Sequence, residues 1–145
     1  MDPMYALTLI ATGLGLVDKF YDVAKKWQGE EAGEHSVTVD REQDRIIIRD
    51  HTHVQEIGAQ ELELSAFDQQ RHDALRRRID TLWTQYNAID VARASAAADE
   101  AARLAAQMEA LRGQLCPDFR SMVRIYEAAL QRSLPDHYTL HDICP

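Results

Sequence analysis

No glycine and no proline stands between Gly58 and Gly113. Those 54 residues constrain the fold more than any other feature of the chain. Glycine and proline are the strongest breakers of regular structure, and proline costs about 3 kcal/mol in a helix interior. A run this long without either, rich in Ala, Leu, Arg, Glu and Gln, has the composition of extended helix. The chain is therefore expected to be mostly helical.

Two apolar seams lie inside the run. Leu75, Ile79, Leu82, Tyr86 and Ile89 step by four, three, four and three, with Trp83 beside them, in a coiled-coil-like heptad pattern. Ser65 precedes them as an N-cap, with Asp68 in the place of the usual capping-box glutamate. The second seam is Ala97, Ala101, Leu104, Met108, Leu111 and Leu115, and it is out of phase with the first by one residue. Two helices folded back as a hairpin, with Asp90 or Ser95 capping the second, explain the shift more simply than one long helix bent near 90–96. Both readings of 66–112 stay open. Gly113 is expected to end the second helix and Pro117 to begin another, because a proline at the first position sacrifices no hydrogen bond. Phe119, Met122, Val123, Tyr126, Leu130 and Leu134 give that helix its buried stripe, and Pro135 stops it.

The first helix is expected over 4–28. Ile10, Gly13, Val17, Phe20, Ala24 and Trp27 form one stripe. No charged residue occurs from Met4 to Val17, so the first half is apolar all round. Such a helix is buried on every side or meets lipid or a partner. Over 36–49 the period changes to two. Val37 and Val39 alternate with polar residues, and Arg45-Ile-Ile-Ile-Arg49 follows the polar turn 41–44, which reads as a β-hairpin. Residues 51–57 suit either a third strand or a loop. The fold expected is α+β and predominantly α. It is one domain over 1–145: a bundle of about four helices (4–28, 65–88, 95–112 and 117–133), a hairpin at 36–49 against one side, and a packed tail at 134–145.

Charge narrows the function. The net charge is −8, and residues 28–61 carry nine acidic side chains and three arginines. The helical parts are nearly neutral. With no basic stripe, nucleic acid is a poor partner. Arg76-Arg77-Arg78 is spread around a helix and reads as a solvated face with local ion pairs. No uncharged run approaches the ~20 residues that span a bilayer. Asp2 stands where a secretory signal would be cationic, so a cytoplasmic location with free Cys116 and Cys144 is expected, and a disulfide between them only on export.

No catalytic signature stands out, and no cofactor is expected. His137-x-x-x-His141-x-x-Cys144 has zinc-like spacing on a helix, and His51-x-His53 offers further ligands. The metalloprotease glutamate is absent beside His137, and packing or surface histidines are the simpler reading. Cys116 before Pro117 lacks any recognisable catalytic surroundings. Glu30-Glu31, Asp99-Glu100 and Glu61-x-Glu63 read as solvated carboxylates, and Gly13-x-Gly15 lacks the rest of a phosphate loop.

The first expectation is therefore a non-enzymatic helical protein–protein interaction module, a homo-oligomer or one that docks a helical partner. Its contact residues would be Leu7, Ile10, Leu14, Leu16, Val17, Phe20 and Trp27. The alternative is a membrane-active effector that uses 4–27, with Trp27 and the adjacent lysines as an interfacial anchor. A small metal-dependent enzyme built on His137, His141 and Cys144 comes third. Residues 7–17, Leu-Thr-Leu-Ile-Ala-Thr-Gly-Leu-Gly-Leu-Val, resemble in composition the glycine-punctuated first helix of HeLo-type cell-death domains. The resemblance is confined to that segment, and the hairpin that follows departs from an all-helical pattern.

Overall fold

The computed structural model describes residues 3–30, 33, 35–49, 54–61 and 63–144, with backbone alone at 3, 4 and 138. Helix α1 (Pro3–Trp27) leads into a three-stranded antiparallel sheet, β1 (Ser36–Asp40), β2 (Arg45–Arg49) and β3 (Val54–Gly58), in the order β1-β2-β3. A 3-10 turn (Ala59–Glu61) follows, then α2 (Ala66–Arg93), α3 (Ala98–Leu130) and α4 (Asp136–Ile143). The architecture is α+β and predominantly α, as its periodicity implies.

The sheet exists because two-residue alternation gives it one apolar face. Val39, Ile46 and Ile57 are cross-strand partners, and Val37 pairs with Ile48. Ile46, Ile48 and Ile57 are buried, and β1 and β2 both lie against α1. The turn between β1 and β2 closes through Asp44 in the left-handed region at φ 49°, a conformation that Asp tolerates better than most residues. Asp40 receives the backbone N–H groups of Glu42 and Gln43 at 3.1 and 3.2 Å. The hairpin is thus two-thirds of the sheet. Val54–Gly58 is the third strand, and it supplies the cover that an isolated hairpin lacks.

The breaker-free run folds back as a hairpin rather than bending. α2 stops at Arg93 and α3 starts after Ala97. Ser65 Oγ accepts the Asp68 N–H at 3.1 Å and caps α2. Neither Asp90 nor Ser95 caps α3: its N-cap is Ala97, without a side-chain bond, and Asp90 instead accepts Trp27 Nε1–H at 2.8 Å. Of the first seam Ile79 and Tyr86 are buried, while Leu75, Leu82 and Ile89 are half-covered.

One expected boundary is wrong. α3 does not end at Gly113. It runs unbroken through Pro117 to Leu130, so the expected helices 95–112 and 117–133 are one. Pro117 removes one helical hydrogen bond. Both flanks are nevertheless held by the core, since Leu111, Leu115, Phe119 and Met122 are all buried. Gly113 and Pro117 are exposed, so the carbonyl freed at Gly113 lies on the wet side, where water satisfies it. Packing on the other side outweighs the proline.

Arg78 also departs from expectation. Arg76 pairs locally with Asp80, but Arg78 reaches across to Asp118 of α3, a buried carboxylate, through two hydrogen bonds. That contact holds Arg78 still more firmly in its charged form.

The free thiols expected from the sequence are not found. Cys116 and Cys144 form a disulfide, with Cα atoms 5.7 Å apart. The chain reverses between α3 and α4, and α4 returns along α3 until its end faces Cys116.

Candidate functional site

Among the described residues, a cleft in which charged side chains converge on an apolar floor lies between α3 and α4. It has a volume of about 230 Å³ and is lined by Arg120, Val123, Arg124, Glu127, His137, Leu140 and His141. Helical spacing builds it. Arg120 and Arg124 are one turn apart on α3, as are His137 and His141 on α4, so each pair lines one wall. Val123 and Leu140 are buried and form the floor.

The walls are fixed from several sides. The disulfide closes one end. Arg120 donates to the Cys144 carbonyl, and Arg112 to the Ile143 carbonyl at 3.1 Å. Two guanidinium groups therefore meet the carbonyls at the C-terminal end of α4, where the helix dipole favours cations. At the other end Glu127 accepts the Leu134 N–H at 2.8 Å and lies 3.7 Å from His137 Nδ1. Behind α4, Asp142 accepts a hydrogen bond from Tyr21 at 3.2 Å and pairs with Lys25 at 3.0 Å. Its bonds to Glu30 and Asp142 raise the Lys25 ammonium above the ordinary lysine range and keep it charged although it is nearly buried. The turn after α3 is stitched to the sheet, because Arg132 donates to Glu61 at 2.8 Å and to the Glu56 carbonyl at 2.9 Å. Gln55 adds a bond to the Ser133 carbonyl at 2.7 Å.

A second polar feature is sealed inside. His72 Nε2 and Tyr126 Oη share a hydrogen bond of 2.6 Å. Burial pushes the His72 imidazole below its usual range, against a weaker opposing pull from Asp73. Burial likewise pushes the Tyr126 phenol far up. Gly13 of α1 makes the room, since a Cβ there would lie 2.2 Å from Tyr126 Oη. A glycine in an apolar helix here lets a neighbouring helix's side chain approach closely. This pair has no opening to solvent and serves packing.

The sequence-expected contact residues do not form a surface. Leu7, Ile10, Leu14, Val17 and Phe20 are all 0% exposed, and Leu16 is buried too. Trp27 is half-covered, bonded to Asp90, with the Arg93 guanidinium 4.1 Å over its ring. The physical reason is that α1 has the sheet, the 3-10 turn, α2, α3 and α4 all against it. The structure thus puts the apolar stripe of α1 in the core, while Tyr5, Thr8 and Thr12 stay exposed. Nor do the metal candidates assemble. His137 and His141 do share a helical face, but Cys144 is bonded to Cys116 and has no thiolate to offer. His51 and His53 lie outside the described residues. Among the described residues no group of three or more His, Cys, Asp or Glu is placed to hold a metal.

Arg120 and Arg124 had a readable signal, two arginines one turn apart flanking Val123, but their significance depends on α4 folding back over them. A scan against protein-family models finds no match, and no curated protein and no solved structure matches the chain.

Proposed function

We propose that this protein is a non-enzymatic protein–protein interaction domain that docks its partner through the α3–α4 cleft and works in an oxidising compartment. The observation that carries this reading is a preformed cleft with an apolar floor and a polar rim, braced by a disulfide and two arginine–carbonyl contacts. Rigid walls suit recognition, because little ordering entropy is lost on binding. The disulfide favours an oxidising compartment over the cytoplasm, where thiols are kept reduced.

The other readings lose their motivation. Among the described residues no helix is long and apolar enough to cross a membrane. Inserting α1 into lipid, or pairing it with a second copy, requires pulling Leu7, Ile10, Leu14 and Phe20 out of the core. A zinc enzyme on α4 would need the Cys144 thiolate. Displayed random peptides panned on the immobilised oxidised protein test the docking reading. Recovered peptides should shift the amide resonances of 120–127 and 137–141, and His141→Trp, which fills the cleft from an exposed position, should weaken them about tenfold or more. Peptides that map elsewhere, or binding indifferent to His141→Trp, would sink it.

A further inference from the structure

We infer that the group the cleft accepts is a single carboxylate, an Asp or Glu side chain of the partner beside an apolar residue. This rests on the reading of the cleft as the docking site and adds what it recognises. Among the described residues, seven of the thirteen arginines lie within 4.0 Å of a carboxylate: Arg45, Arg71, Arg76, Arg78, Arg103, Arg112 and Arg132. Arg120 and Arg124 are not among them, and they line the cleft together. Arg120 is turned to the Cys144 carbonyl, and Arg124 is exposed with no ion pair among the described residues. Both stand on one wall of the cleft, in a protein of net charge −8.

Charge sets the class of ligand. Two arginines against Glu127 leave the lining at a formal +1, histidines not counted. Glu127 accepts the Leu134 N–H, and no ion pair joins it to Arg124 among the described residues. A net +1 with one uncommitted guanidinium fork matches a monoanion that is planar and bidentate, which describes a carboxylate. A phosphate dianion would call for a second free fork, and the one on Arg120 is partly engaged. The apolar floor, Val123 and Leu140, takes the neighbouring side chain. The acidity of the chain as a whole does not forbid such a partner. Beyond ~8 Å exposed charges are largely screened at physiological ionic strength, so the local sign governs docking.

The test uses the oxidised full chain and three acetylated, amidated pentapeptides: Ala-Leu-Glu-Leu-Ala, the same peptide with Gln for Glu, and the same with phosphoserine for Glu. Affinities come from amide-shift titrations. The Glu peptide should bind about tenfold tighter than the Gln peptide, the size expected of one charge-assisted pair. Arg124→Gln should erase that preference without moving the thermal midpoint. Equal binding of the Glu and Gln peptides with cleft resonances shifting overturns the carboxylate inference and leaves the docking reading standing. A phosphoserine peptide that binds more tightly than the Glu peptide also overturns it. No cleft shift with any of the three overturns both.

Discussion

Helices α1 and α4 are both apolar on the side that meets the bundle, and both lie against α3. They differ in length and in how many elements they meet. α1 meets the sheet, the 3-10 turn and the other three helices, and even its glycine is used, since Gly13 admits Tyr126. α4 is eight residues long. Its Leu140 and Ile143 are buried, but His137 and His141 face outward. Its position is held by the disulfide, two arginine–carbonyl contacts and the Tyr21–Asp142–Lys25 cluster. Among its described side chains, what α1 leaves exposed is Tyr5 and the polar Thr8, Thr12, Lys19, Asp22 and Lys26. A helix covered on one side and braced from behind leaves a rigid groove along its edge, and that is where the cleft lies.

The contrast breaks first, if it breaks, at α1. The Phe20 ring packs 5.1 Å from that of Phe119 and 5.5 Å from that of Tyr86. Phe20→Ala is expected to cost ~3–5 kcal/mol in a urea denaturation. Leu14→Asp, which buries a charge without a partner, should abolish the cooperative transition altogether. If Leu14→Asp instead stays folded and only changes the molar mass in solution, α1 is an interface and the contrast is void.

At α4 the same kind of measurement should give a local answer. The disulfide joins residues 28 apart, and the chain-entropy model gives about 3.5 kcal/mol for a loop of that length. The double variant Cys116→Ala, Cys144→Ala should lose roughly this much stability. Hydrogen exchange should show amide protection falling most over 136–143 while α1 stays protected until global unfolding. A uniform fall across both helices would mean that α4 is as firmly built in as α1.

Much of this fold is written in local periodicity. The switch from a period of 3.6 to one of 2 at Val37 marked the hairpin, Ser65 marked the start of α2, and the one-residue phase shift between Ile89 and Ala97 pointed to the turn. What stayed hidden depends on contacts distant in sequence. Pro117 inside α3 is tolerated because Leu111, Leu115 and Phe119 are anchored by other elements, and no local rule reports that. Whether residues 4–17 are core, interface or lipid-facing stays open in the sequence because nothing in them shows that a sheet and three helices will pack against α1. The disulfide and the cleft both need α4 to fold back along α3, which neither Arg124 nor Cys144 signals alone. His72 stands three residues before Leu75, on the same helical face as the seam, so spacing alone places it inward; its bond to Tyr126 depends on α3 and is not legible locally.

His72 supplies the finest test of the α1 side, since its pH response reports whether the space beside Gly13 is dry. The imidazole is 0% exposed, and burial is the largest influence on it, outweighing the pull of Asp73 toward the charged form; Arg76 works in the same direction as burial. Its folded pKa is therefore below its unfolded value of about 6.5. A histidine depressed in this way contributes its stability in full above about pH 6.5. As pH falls below that value the unfolded chain takes up a proton that the folded chain refuses, so stability is lost by up to about 1.4 kcal/mol per pH unit until the folded value is reached. His72→Gln keeps a hydrogen-bonding group for Tyr126 but cannot titrate. Denaturation midpoints at pH 7.5 and 5.5 should therefore fall further for the parent than for the variant. The remaining histidines are common to both proteins and cancel in the difference. Equal falls would mean that His72 charges freely in the folded state, that water reaches Tyr126, and that the α1–α3 contact is as open as the cleft beside α4.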